Sequence, residues 1–458
     1  MNPALLARIK KGMASEIFAN LIRVVIQVTG VPLFLYFWGD DGYGEWLILT
    51  AILGYLRLSN VGFGQATRNR MAMAVSAGHR ERALGFFQST SVLFIFIGAL
   101  VMVLVGLAAL AAPSIHDFLN FEILSVEGFA WSMIILGAVI AINLQAEVLD
   151  AGFRCEGHYG LSTFLIMLSE LVIFLLIVLV LVMGGDLVMG IGCYLFGTLF
   201  RFALLRLVLC RLGDWIVFGM HYASWQTIKE FTLPSLAFMA FPLGQAMGLQ
   251  GTLIVIGAIS GPPAVVVFNT VRMLTRYTVH LTVIFGRIGG PEIAFAYGRG
   301  DMALVRQVHW QVCRIGFWAA LLACGTLALT TPWLLQIWTQ GQINPWPGVY
   351  LTLLAAVLVW TAHALTANVL QATNNHQRFA LVFLIVSVAG LALTVPLTKL
   401  FNLPGAALAS LLVELALLAY VLPSAARFAG GTISGFLRHI AIPPSPMLLR
   451  HLREKAAI

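Results

Sequence analysis

Charge is what this sequence has least of. Asp, Glu, Lys and Arg make up 10% of its 458 residues, where soluble domains carry about 25%. Hydrophobic types supply 60%, and mean hydropathy is +0.92. A chain this poor in charge cannot clothe a water-facing surface, so its solvent is lipid and the useful count is of spans, not soluble domains. Cysteine is also scarce. Cys155, Cys193, Cys210, Cys313 and Cys324 form no CxxC pair, which excludes a disulfide framework and a thiolate metal site and leaves packing residues. The glycine-bearing stretch "GFGQATRNR" at 62–70 lacks the GK[ST] of a phosphate-binding loop, so ATP hydrolysis is not expected. The amino-terminal segment has early basic residues but no compact apolar core with a small-residue cleavage site; the first span is expected to act as its own targeting signal. Long loops are missing too. The longest outer one is "APSIHDFLNFEILSVEG" at 112–128. That argues against a polymerase, ligase or lipid-linked glycosyltransferase, whose chemistry needs acids, His or Arg on a sizeable outer loop or soluble domain.

What is present is a series of apolar stretches long enough to cross a bilayer. They fall near 15–37, 44–64, 86–111, 129–150, 161–183, 187–209, 231–257, 264–286, 313–337, 349–371, 379–398 and 405–427. Twelve spans put both termini on one side. With that side inside, 21 of the 27 Lys and Arg sit in inner loops, inner span ends and tails, as the positive-inside rule asks. Lys399 alone falls outside, and Arg23, Arg57, Arg201, Arg272 and Arg276 lie within spans. Outer loops carry acids instead, among them Asp40, Asp41, Glu45, Asp117, Glu122, Glu127 and Asp186. The net charge of +8 therefore reports topology and contact with anionic lipid, and no nucleic-acid partner is expected.

The halves echo each other at a shift of about 220 residues. "AGHRERAL" at 77–84 meets "YGRGDMAL" at 297–304, and "VLDA" at 148–151 meets "VLQA" at 369–372. Six spans per half is an even number, so the repeat is parallel. The expected organisation is an all-α polytopic membrane protein of about twelve transmembrane helices. A six-helix bundle at 1–215 and a second at 216–430 would surround a central cavity, followed by a basic tail at 431–458 on the inner membrane surface. Pro234, Pro242, Gly244, Gly248 and Gly251 make the seventh span the expected place for bending.

An ionisable residue at the bilayer centre costs about 2.5–3.5 kcal/mol on insertion scales, so it is expected to face protein or water. Four spans carry polar residues at helical spacing on one face. Glu16, Asn20, Arg23 and Gln27 lie on the first; Thr50, Arg57, Asn60 and Gly64 on the second. Asn143, Glu147, Asp150 and Arg154 lie on the fourth; Asn269, Arg272, Arg276 and His280 on the eighth. Arg272 and Arg276 stand one turn apart, and two guanidinium forks at that spacing suit the oxygens of a diphosphate. The competing reading makes Arg23, Arg272 and Arg276 structural partners of Glu16, Glu147 or Asp150, and His280 a space filler. Arg201 reads as a snorkelling anchor, and Glu170 and Glu414 as interhelical hydrogen-bonding groups. No cofactor is expected. An ion gradient or the membrane potential would drive the cycle, with Glu16, Glu147 or Asp150 as candidate coupling acids.

"GYGEWLILTAILGYLRLSNVGFGQATRNRMAMAVSAGHRERAL" at 42–84 resembles the polysaccharide transporter branch of the multidrug/oligosaccharidyl-lipid/polysaccharide (MOP) exporter superfamily, the Wzx-type oligosaccharide flippases. Tyr43, Gly44, Trp46, Leu58, Gly62, Gly64 and Ala66 carry the likeness, as do "AVVVFNTVRMLTR" and "GGPEIAFAYGRGDMALVRQ" in the second half. The resemblance implies a bacterial inner-membrane flippase with cytoplasmic termini. It would move an undecaprenyl-diphosphate-linked oligosaccharide (an O-antigen, capsule or exopolysaccharide repeat unit) by alternating access, alongside other polysaccharide-assembly membrane proteins. Arg23, Arg57, Arg272 and Arg276 match the family's cationic cavity. A multidrug/cation antiporter of the same superfamily is the alternative; it would need an acidic cavity, whereas here arginines outnumber Glu147 and Asp150.

Overall fold

The computed structural model describes residues 3–444 apart from 61, 345 and 374. At some of these positions, including Glu16, Pro234 and His280, only the backbone is described; their side chains, and the tail from 445 with Arg450, Arg453 and Lys455, lie outside the described set. Among the described residues every regular element is helical. In chain order they are α1 (Pro3–Leu56), a 3-10 turn (Arg57–Asn60), α2 (Phe63–Ser76), α3 (Arg80–Leu110), α4 (Ala112–Phe118), α5 (Val126–Cys155), α6 (Tyr159–Val182) and α7 (Leu187–Leu212). Then follow α8 (Trp225–Ala246), a π-helical turn (Met247–Gly251), α9 (Thr252–Ser260), α10 (Pro262–Gly298), α11 (Met302–Trp338), α12 (Pro347–Ala372), α13 (Gln377–Phe401), α14 (Leu403–Phe428) and α15 (Ile433–Ala441).

Ten of these helical runs are long and apolar enough to cross a bilayer, which makes the chain a multi-pass membrane protein. The first, Phe18–Asn60, is 43 residues long and contains the break at Gly39, so it holds the first two expected spans. The expected eighth span, in α10, is not among the ten, because its polar stripe dilutes its hydropathy. With those two facts the expected stretches fall on helices, except that the second, 44–64, leaves α1 at Leu56 and passes through the 3-10 turn and Gly62, with position 61 outside the described residues. The seventh is divided into α8, the π-helical turn and α9, and the departure from α geometry falls on Gly248 and Gly251.

The chain divides into two compact units: Met1–Ala246 with Ser260–Val266, and Met247–Ile259 with Val267–Ile458. The sequence placed the division at 215/216. The later break has a physical reason: α8 packs on α2 and α3 of the first unit. The segment leading into α8 is also fastened to α3. Gln88 Nε2 donates to the Val217 carbonyl (3.1 Å), Gln88 Oε1 accepts from the Tyr222 amide (2.8 Å), and Ser89 Oγ accepts from the Ser224 amide (3.0 Å).

In the first unit α1 reverses at Gly39, whose φ of 68° suits a residue without a side chain. Aromatic rings brace the break. Phe34 stacks on Trp38 (5.4 Å) and Tyr43 (5.2 Å), Trp38 meets Trp46 (5.2 Å), and Trp38 Nε1 donates to the Gly185 carbonyl (3.0 Å). At Gly44 a Cβ would run into the Pro262 carbonyl. The Tyr43-Gly44-Trp46 motif is thus a packing device. Glu45, read from sequence as an outer-loop acid, is in fact fully buried (0% exposed). Its carboxylate accepts from the amides of Glu122, Ile123 and Leu124 at 2.6, 2.7 and 2.8 Å, folding the 119–124 segment onto α1.

In the second unit α12 and α14 pack closely, and α11 lies along α12 and carries α15. Ile293, Ala296, Val305, Val369, Leu370 and Ala425 bring α10, α11, α12 and α14 into one buried cluster. The two repeat stretches sit in different settings: 77–84 joins the short helix α2 to α3, and 297–304 joins the long helix α10 to α11. Their aligned acids do different work: Asp301 caps α11 by accepting from the Leu304 amide (2.9 Å), while Glu81 lies in the first turn of α3. Glu45→Ala would leave three amides without an acceptor, each costing about 1–3 kcal/mol. We expect it to lower the thermal midpoint of the detergent-purified protein by several degrees, with Glu45→Gln falling between it and the parent.

Candidate functional site

The polar groups of the first unit collect where α2, α5 and α6 meet. Gly62, at φ 73°, lets the chain turn from the 3-10 segment into α2. Asn60 Oδ1 accepts from the Gly62 amide (3.1 Å), which aims Nδ2 at α5, where it donates to Glu147 Oε1 (3.0 Å) and Oε2 (3.1 Å). A Cβ at Gly64 would collide with that carboxylate. Gly62 and Gly64 of the family-like pattern therefore form, with Asn60, a cradle for Glu147. One turn along α5, Asp150 is buried and saturated. Its Oδ2 meets Arg154 Nε (2.9 Å) and Arg68 Nη1 (3.6 Å), and Oδ1 accepts from Ser162 Oγ (2.7 Å). Asn143, on the same face of α5, keeps a buried Oδ1 with no hydrogen-bond partner.

Arg201 departs from its expected role. It does not snorkel; it is buried and its Nη1 donates to Glu170 Oε1 at 2.9 Å, joining α7 to α6. That pairing bears out the reading of Glu170 as an interhelical group. Arg57, on the 3-10 turn, is exposed, and its charge reaches Arg201. On α1, Asn20, Arg23 and Gln27 are all exposed on one face, and Arg23 Nη1 donates to Asn20 Oδ1 (2.7 Å). The side chain of Glu16 falls outside the described residues.

In the second unit Arg272 is engaged. The π-helical turn frees backbone carbonyls from the regular ladder, and Arg272 Nη1 takes up those of Leu249 (2.9 Å) and Gly248 (3.5 Å). Its Nη2 donates to Asn269 Oδ1 (3.1 Å), and the guanidinium lies 5.4 Å from the Phe268 ring centre. Arg272 thus ties α10 to the preceding turn, a bond neither sequence reading foresaw. Arg276, one turn on, is half-buried and lies in electrostatic reach of Glu414 on α14. Glu414 Oε2 bonds His363 Nε2 of α12 at 2.7 Å. The sequence reading passed over His363; no periodic signal marks a lone histidine on an apolar helix. His280 lies on α10 with its side chain outside the described set.

Chemically, the arrangement separates the two signs of charge. Of the described intramembrane acids, Asp150 and Glu170 are ion-paired, Glu147 is held by an amide, and Glu414 by an imidazole. Of the described stripe arginines, Arg23, Arg57 and Arg154 are exposed; Arg154 pairs with Asp150, and Arg23 and Arg57 form no ion pair with a described acid. Among the described residues no three His, Cys, Asp or Glu side chains are placed to hold a metal ion.

No family model matches the chain, and no curated protein matches it by sequence. Solved structures do resemble it. An inward-facing multidrug resistance MATE family transporter of the MOP superfamily superposes at a TM-score of 0.71, with 14% identity over 91% of this chain and 99% of that one. The lipid II flippase MurJ in an inward closed conformation also gives 0.71, with 13% identity over 94% and 89%. An outward-facing MATE family transporter gives 0.56 at 14% identity, over 94% and 95%. The chain has the fold of the MOP-superfamily exporters, a class that includes drug transporters and lipid flippases alike.

Gly64→Ala pushes a methyl into the Glu147 carboxylate, so it should lower the thermal midpoint of the detergent-purified protein as Asn60→Ala does. Thermal melts of the two single variants and the double variant check this. A double variant no worse than either single one is the expected outcome, because both changes release the same carboxylate.

Proposed function

We propose that this protein is a flippase for an undecaprenyl-diphosphate-linked oligosaccharide in the bacterial inner membrane, with both termini cytoplasmic and an ion gradient or the membrane potential as driving force. One observation carries the reading: among the described residues Asp150, Glu170, Glu147 and Glu414 have partners, while Arg23 and Arg57 are exposed on the polar faces. A transporter of organic cations needs an acid free to meet its cargo, and here Asp150 and Glu170 are neutralised by Arg154, Arg68 and Arg201. Surplus guanidinium suits an anion with several acceptor oxygens. Each unit offers its own arginines to phosphate: Arg23 and Arg57 in the first, Arg276 in the second. Arg272 contributes less directly, by setting the shape of α10 beside its turn. Asn20, Gln27, Asn60, Asn143 and Asn269 supply neutral polar contacts for sugar hydroxyls or for the arginines themselves.

The fold resemblance to a lipid II flippase is compatible with a lipid-linked cargo, and the resemblance to multidrug transporters is what the experiment must set against it. In a strain lacking the gene, Arg57→Ala and Arg276→Ala should each abolish surface glycan at normal protein abundance. Lysine replacements, which keep the charge and lose the fork, should restore part of it. A charge-assisted hydrogen bond is worth about 1.5–3 kcal/mol, so each loss weakens cargo binding roughly ten- to a hundred-fold. Full glycan display by both alanine variants would make these arginines structural. Resistance to a cationic dye that depends on the gene would favour the antiporter.

A further inference from the structure

The first half of α11 presents Arg306, Trp310, Arg314 and Trp318 at four-residue intervals, which places them on one face. That face meets the segment from Gly430 through α15. Arg306 Nη1 donates to the Gly430 carbonyl at 2.7 Å, and Trp318 Nε1 donates to the Ile440 carbonyl at 2.9 Å. Trp310 meets Phe436 and His439 at ring distances of 6.1 and 5.4 Å. Phe436 itself is buried beside Cys313 and Leu365 and stacks on His309 at 5.5 Å. Three of the four residues are thus accounted for by what they hold.

Arg314 is not. It is 7% exposed, it donates from Nη2 to Gln311 of its own helix (3.0 Å), and among the described residues its buried Nε has no acceptor. No acid among the described residues pairs with it. His439, whose ring centre lies 5.4 Å from that of Trp310 one turn before Arg314, has a buried Nε2 that likewise finds no partner among the described residues. Burial, and then the charge of Arg314, hold that imidazole below the usual histidine range. Leaving a buried donor unsatisfied is costly, more so when it is charged. With the imidazole proton on Nε2, that N–H and the Arg314 Nε–H are both relieved by one small anion with several acceptor oxygens.

We infer that Arg314 and His439 form a binding site for a phosphate group, and that the phosphate is the headgroup of an anionic phospholipid. The helix that closes the site points to that source. α15 exposes Ile433 (41%) and Leu437 (50%) one turn apart, Ile442 (57%) follows it, and Arg438 lies in its last turn. Exposed apolar side chains with basic neighbours on a short helix beside a transmembrane bundle describe an element bedded in the lipid–water interface. Basic pockets at that level take acidic headgroups. This site shares no residue with the proposed cargo site, so the two stand or fall separately.

Native mass spectrometry of the detergent-purified full chain tests it, with phosphatidylglycerol or phosphatidylcholine as the added lipid. The parent should retain phosphatidylglycerol in preference to phosphatidylcholine. Arg314→Gln and His439→Gln should each weaken that retention roughly ten-fold, the loss expected of one charge-assisted hydrogen bond, and Arg314→Lys should weaken it less than Arg314→Gln. His439 lies on a partly exposed surface helix, so its variant carries the test if Arg314→Gln fails to fold. Equal retention of the two lipids by the parent, or unchanged retention in His439→Gln, overturns the inference. Displacement of the lipid by millimolar inorganic phosphate would keep the phosphate site and overturn the lipid as its source.

Discussion

A polar group inside a bilayer has no water to turn to, so its partner must be another part of the protein. That constraint arranges most of what is specific in this structure. Glu45 gathers three amides of a segment far away in sequence and thereby shapes the connection between α4 and α5. Asp150 draws Arg68, Arg154 and Ser162 to one point and so ties α2 and α6 to α5. Arg201 and Glu170 join α7 to α6, and His363 and Glu414 join α12 to α14. Arg272 answers the carbonyls that a π-helical turn releases. In each case the bond crosses between segments that apolar packing alone would leave free to slide.

The functional consequence is an asymmetry of sign. Carboxylates are spent on holding the bundles together, while Arg23 and Arg57 stay exposed. Glu147 stands between the two conditions. Its carboxylate is gripped by an amide, not by a guanidinium, and it rests on a glycine that must remain a glycine. An acid held in this way keeps its geometry through a neutral donor and not through an ion pair.

Much of the fold was legible because lipid imposes a coarse rule that a sequence can satisfy in few ways. Apolar length alone was enough for an all-helical chain that crosses the membrane many times. The polar stripes were legible for the same reason, since polar residues at helical spacing stand out on an apolar background. The partners of those residues were not. Arg272 and Arg276 look like twins in sequence, yet one is bound to the backbone more than twenty positions earlier and the other lies toward Glu414 on another helix. Glu45 looks like one more loop acid. Arg201 looks like an anchor until α6 supplies Glu170. The late boundary between the units escaped notice because Gln88 and Ser89, which fasten the approach to α8, are two neutral polar residues near the start of an unremarkable span.

By itself, then, the sequence determined where the chain is helical and which solvent it lives in, because both follow from local composition and a bilayer of set thickness. It also determined which residues would be costly in that solvent, because cost depends on chemical type and depth. Only the tertiary structure decided which of those residues are spoken for. Pairing depends on helices that are remote in sequence meeting at a particular height and rotation, and a shift of one turn, about 5 Å along a helix, exchanges one partner for another.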